Sequence, residues 1–198
     1  MKSSSIREKT KAMFISTLKI RPREWREMPF TPFHLGPALA FGLPLRKKIH
    51  APTFLVANVI VDVEPFLALF LSLRYPLHGY LHTFISAFFL GLVLGYVMFI
   101  LEGILYPLYK ILQIENDRTS SLRSFMASGV SGTMLHVLLD SPLYSDIRPF
   151  YPIMTNPLYN PAMSFAVYSF CIWTGLFGLV FYLCTLASPV YEKIRKKR

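Results

Sequence analysis

The sequence predicts an all-α membrane protein: a bundle of about four transmembrane helices plus a short re-entrant or interfacial apolar segment near the N-terminus. Three observations carry this. The chain of 198 residues is 53% hydrophobic and only 16% charged, where an ordinary soluble domain has about 25% charged residues. The apolar residues fall in long blocks, and four of these are long enough to cross a bilayer. The remaining charge is lopsided, 21 Lys+Arg against 11 Asp+Glu for a net +10. In so apolar a chain that excess points to an anionic membrane surface, and no nucleic-acid partner is expected.

Taken in order, residues 1–27 form a basic N-terminal extension, mildly amphipathic through Met13, Phe14, Leu18 and Ile20. It is expected to be a solvated tail or to lie on the membrane surface. Residues 28–188 read as a single integral-membrane domain, and 189–198 as a basic cytoplasmic tail. Pro32–Leu45 is apolar but only 14 residues long and contains Pro37 and Pro44, which suits a re-entrant or interfacial piece. The four spans are Thr53–Leu73, Thr83–Tyr106, Ser124–Leu143 and Ser164–Ala187. The second carries Gly91-x3-Gly95, a spacing that lets helix backbones approach. The third is rich in small and polar residues (Ser128, Gly129, Ser131, Gly132, Thr133), so it belongs among other helices rather than against lipid. Cys171 and Cys184 share one helical stretch about 20 Å apart, too far for a disulfide.

No Lys or Arg lies inside any span. With the N-terminus cytoplasmic, nineteen Lys and Arg fall inside and two, Arg74 and Arg148, fall outside. The positive-inside rule then predicts a multi-pass protein of the plasma or inner membrane with both termini cytoplasmic. The expected partners are the bilayer and its anionic headgroups at the cytoplasmic face.

Four of the eleven acidic residues, Asp62, Glu64, Glu102 and Asp140, fall within spans. A carboxylate at the bilayer centre costs about 2.5–3.5 kcal/mol even on the lenient insertion scale. Such groups must be protonated, hydrated or bound to a cation. All five histidines lie near them: His34, His50, His78, His82 and His136. His78-x3-His82 and His136-x3-Asp140 have i, i+4 spacing, which brings two ligands to one helical face if each pair is helical. Asp62-x-Glu64 would diverge on an ideal helix, but Pro65 withdraws a donor from the Val61 carbonyl. It also biases Glu64 away from the α region, so the break turns both carboxylates toward one site. His50, beside Arg46–Lys48, reads as an interfacial group, and Glu102 as a side chain reaching the headgroups.

These residues carry a resemblance. Pro32-Phe33-His34-Leu35-Gly36, Val61-Asp62-Val63-Glu64-Pro65, His78-Gly79-Tyr80-Leu81-His82-Thr83 and Gly132-x3-His136-x3-Asp140 keep the motif order of a known family. The chain resembles the integral-membrane metal-dependent hydrolases, also described as LexA-binding, inner membrane-associated hydrolases, over roughly residues 28–152. Glu64 stands where that family usually has a second Asp, and Pro65 where many relatives have a His. The Arg after the first His of the third motif is absent, and its two histidines are one residue closer. The resemblance implies a metal-dependent hydrolase and names no substrate.

Imidazole with carboxylate suits Zn²⁺ ahead of Mn²⁺ or Fe²⁺. The candidate metal ligands are His34, Asp62, His78, His82, His136 and Asp140. Asp62 is a bridging ligand or the general base, with Glu64 the alternative base. Arg74 and Arg148, the two outer cations, are candidates for binding an anionic lipid or phosphoester substrate. Two other readings use the same residues: a small ion- or proton-conducting transporter, and a non-catalytic scaffold stabilised by metal.

Overall fold

The computed structural model describes residues 32–73, 76–114 and 121–195, with side chains described up to residue 187. The basic extension at 1–27 and Arg74 therefore lie outside the described residues. All regular structure among those described is helical. The α-helices are α1 (Leu35–Gly42), α2 (Ala51–Ile60), α3 (Val63–Phe70), α4 (Phe84–Ile111), α5 (Leu122–Asp140) and α6 (Ser164–Arg195). Three are long and apolar enough to cross a membrane: α2 with α3 as one broken rod (Ala51–Phe70), α4, and Pro161–Ala187 at the start of α6. The fourth expected span, α5, has 19 residues but does not meet the apolarity of the other three.

Its place in the bundle explains that composition. α5 packs between α2 and α4, and it buries Ser128, Gly129, Gly132, Thr133, His136 and Asp140. A helix shielded by neighbours needs close approach and hydrogen bonds more than lipid-facing bulk. Gly91 meets Val130 of α5, and Gly95 meets Phe125 and Met126, so α4 and α5 run antiparallel. A Cβ on Gly91 would come within 2.5 Å of the Val130 Cα, so only glycine allows this backbone contact. Thr133 donates its hydroxyl hydrogen to the Ala87 carbonyl at 2.7 Å across the same interface. α2 runs parallel to α5, since His50 meets Ser128 at one end and Asn58 meets His136 at the other.

The short apolar piece near the N-terminus becomes a single 3-10 turn (Pro32–His34) followed by the eight-residue α1. α1 packs mainly on α6 and also on α2. It starts beside Asp140 through His34 and leads back to Arg46, which bonds the Gln113 carbonyl near the far end of α4. The bundle thus has two polar ends. One gathers His34, Asp62, His82 and Asp140; the other gathers His50 and Glu102.

Candidate metal centre

Asp62 sits at the junction of α2 and α3. Pro65 has no N–H to donate, so the Val61 carbonyl accepts instead from the Glu64 N–H at 3.3 Å, in a tighter i to i+3 turn. Glu64 nevertheless stays within α3, contrary to the bias expected of a residue before proline. The local tightening still separates the two acids usefully. Asp62 faces the centre of the bundle, and Glu64 reaches the loop before α4.

His82 closes a 3-10 turn, Tyr80–His82. Thr83 then caps α4 by accepting from the Ser86 N–H at 3.1 Å. The expected i, i+4 helical pair of His78 and His82 is therefore not formed, because α4 starts only at Phe84. His136 and Asp140 do lie one turn apart on α5, as their spacing predicts.

Asp62, His82, His136 and Asp140 each offer one ligand atom, and these four atoms lie within 4.8 Å of one another. His136 Nε2 is 3.3 Å from Asp62 Oδ1 and 3.2 Å from Asp140 Oδ2. His82 Nε2 is 3.9 Å from Asp62 Oδ1 and 3.8 Å from Asp140 Oδ2. Four ligands held at 2.0–2.1 Å around one tetrahedral ion would be separated by about 3.3–3.4 Å. The four His-to-carboxylate edges, 3.2–3.9 Å, lie at or somewhat above that value, and the group as a whole, within 4.8 Å, would have to close in to hold one ion. All four residues are buried, between 0% and 3% exposed.

The partners of each ring decide which nitrogen is available. His136 Nδ1 lies 2.8 Å from the Asn58 carbonyl, which can only accept, so Nδ1 carries a hydrogen and Nε2 is the atom turned toward Asp62 and Asp140. His82 Nδ1 donates to Glu64 Oε2 at 3.2 Å, and the same oxygen accepts from the Leu81 N–H at 3.0 Å. Both Nε2 atoms are buried without a hydrogen-bond partner. Burial lowers the His82 pKa, outweighing the hydrogen bond to Glu64. Two neutral imidazoles and two carboxylates would balance one divalent cation. A buried orphan nitrogen from each of two rings, aimed at two carboxylates, fits a divalent ion.

The remaining candidates surround this group. His34 Nε2 pairs with the other oxygen of Asp140, Oδ1, at 2.8 Å, leaving Oδ2 toward the histidines. Glu64 grips the outer nitrogen of His82 as described. His78 Nδ1 bonds Asp146 at 3.0 and 3.1 Å, and its backbone N–H donates to the same carboxylate at 3.2 Å. Partial burial opposes the Asp146 charge, but the His78 hydrogen bond and charge outweigh it and hold that carboxyl below its usual pKa. The His78 ring meets His82 edge-on at 4.8 Å between centroids. It thus forms a wall between the buried group and a cleft of about 400 Å³. Arg148 lines that cleft with Asp146, Tyr80, Tyr151 and Met154.

Two expectations are corrected. His50 is fully buried rather than interfacial, and Glu102, 4% exposed, does not reach headgroups. The two meet at 3.3 Å. Sequence reasoning also missed Asn58, which acts through its backbone carbonyl and leaves no side-chain signal. It missed Asp146 as well, whose only trace was an acid six residues after Asp140 in a long loop. Comparison of the chain with family models, with curated proteins and with solved structures finds no match.

Proposed function

We propose that the protein is a membrane-embedded, metal-dependent hydrolase with its site toward the outer face, acting on a lipid or phosphoester substrate. The observation that carries this reading is the pair of orphan imidazole nitrogens, His82 Nε2 and His136 Nε2, directed at Asp62 and Asp140. In this reading these four residues hold the ion, with zinc preferred for an N2O2 donor set. When bound, such an ion polarises a substrate oxygen and acidifies a water. The chain's own residues do the rest. Glu64 and the Asn58 carbonyl fix the two ring orientations, and His34 pins Asp140. With Asp62 taken as a ligand, Glu64 is the candidate general base. Arg148 offers a cation to an anionic headgroup at the mouth of the cleft, and aromatic residues Tyr80 and Tyr151 suit the membrane interface. The motif resemblance to the integral-membrane metal-dependent hydrolases supports the same reading.

Purified protein is expected to retain about one equivalent of divalent metal per chain, measured by elemental analysis. A His82→Ala/His136→Ala variant is expected to lose it. Equal metal content in the two proteins would sink the site. A screen of lipid and phosphoester substrates with added Zn²⁺ or Mn²⁺ then tests the activity. The transport reading is less favoured, because α2 and α5 are in tight contact between the two polar ends. A Cβ on Gly132 would lie 2.5 Å from the Ala57 Cβ, which leaves no room for an ion path there. Metal flux into liposomes without hydrolysis would reverse that preference.

A further inference from the structure

The second polar cluster, at the opposite end of α2, has no part in the proposed chemistry. His50 is its hub. Its backbone N–H donates to Ser128 Oγ of α5 at 2.8 Å. Its ring stacks on Phe125 of α5 with centroids 3.9 Å apart. Its Nδ1 accepts from the Thr53 N–H at 3.3 Å, capping α2, and lies 2.7 Å from Thr53 Oγ1. Since Nδ1 is the acceptor, the hydrogen of the neutral ring is on Nε2, which lies 3.3 Å from Glu102 Oε2 of α4, a polar contact without hydrogen-bond alignment. At His82 and His136 a hydrogen is on Nδ1 instead. The His50 end therefore presents a donor, and it is a tie between helices rather than a second metal site.

That tie has a consequence for the metal centre. α2 supplies the Asn58 carbonyl that orients His136, and Asp62 follows directly on its last turn. Twelve residues, about 18 Å of helix, separate His50 from Asp62. Between them α2 meets α5 through Ala57 and Gly132, a contact of small groups with little interlocking bulk. Just past it, Ile60 and Val61 join Met134 and Val137 of α5 in one hydrophobic core cluster. The register of α2 against α5 is then set by this packing together with the polar ties at its ends.

We propose that His50 is a positioning residue for the metal centre. It holds α2 in register through Ser128 and Glu102, so that Asp62 and the Asn58 carbonyl meet His136 correctly. This rests on the metal reading above. The test is Co²⁺ binding by the full-length chain in detergent micelles, followed by its visible absorption. His50→Asn keeps a capping acceptor but cannot reach Glu102, and Glu102→Ala removes the acceptor; Glu102→Gln keeps one. The first two are expected to weaken Co²⁺ binding by about tenfold or more and to dim the visible band, with Glu102→Gln within about threefold of wild type. Unchanged binding and spectrum in His50→Asn and Glu102→Ala, with helical content retained, would overturn the proposal. Should His50→Asn lose helical content, the comparison of Glu102→Ala with Glu102→Gln decides by the same criterion. If the wild type binds no Co²⁺, or His82→Ala binds it equally well, the metal reading itself fails, a result separable from loss confined to the His50 and Glu102 variants.

Discussion

His82 and His136 each expose one nitrogen to the centre because the other is tied down, to Glu64 and to the Asn58 carbonyl. Removing such a tie frees the ring without removing the ligand. Glu64→Ala is therefore expected to weaken metal affinity by about 10- to 100-fold, while Glu64→Gln, still an acceptor, loses less. Competition with a graded series of chelators measures both, and equal affinities would refute the assigned role. His50 yields a pH prediction. Burial lowers its pKa from 6.5 to about 4, so between those values the unfolded chain binds more protons than the folded one. Stability should rise with pH across that window and be fully present above 6.5. The span corresponds to a contribution on the order of 3 kcal/mol. Thermal unfolding from pH 4 to pH 7 should show this slope in the wild type and a shallower one in His50→Asn.

At the scale of elements, two features were legible in the residues themselves. The small-residue stretch 128–133 and Gly91-x3-Gly95 marked helices that pack backbone to backbone, and α4 and α5 do so. Gly91→Ala would place a methyl group against the Val130 backbone, which has no flexible end to move aside. It should destabilise the pair by about 1–3 kcal/mol, the usual cost of overpacking, read as a drop in the unfolding midpoint in mild detergent. An unchanged midpoint would mean that the interface is looser than its geometry. The His78–His82 pair was misread because helical spacing was assumed where the chain has not yet entered its helix. Thr83 is the better start signal, being a residue whose side chain caps the first turn. Pro65 does break the helix, but the expected turning of both carboxylates toward one site does not follow: the turn tightens with Glu64 still helical, and Glu64 meets the outer nitrogen of His82 instead of joining Asp62 in the four-residue group.

For the whole molecule, the two polar clusters lie at opposite ends of α2, and the charge asymmetry gives those ends a direction. The positive-inside rule predicts that the His50 end faces the cytoplasm and the cleft beside His78 faces out. Single cysteines placed at Lys47 and Ser145 in a Cys171→Ser/Cys184→Ser background should then react with a membrane-impermeant thiol reagent from opposite sides of intact vesicles. Labelling of both from one side would refute the two-ended arrangement.

Composition alone determined that the chain is helical and apolar enough for a membrane, because long apolar blocks without Lys or Arg have few other stable solutions. It also isolated the four misplaced carboxylates and the five histidines as the residues that need an explanation. Which of them meet was decided only by tertiary packing. The parallel contact of α2 with α5 sets Asp62 beside His136, and the turn before α4 swings His82 between Asp62 and Asp140. The same packing draws His50 and Glu102 away from the surface into a separate tie. Spacing along a chain fixes neighbours only within one helix. Ligands drawn from three separate segments are matched by helix register and close approach, which no single stretch of sequence encodes.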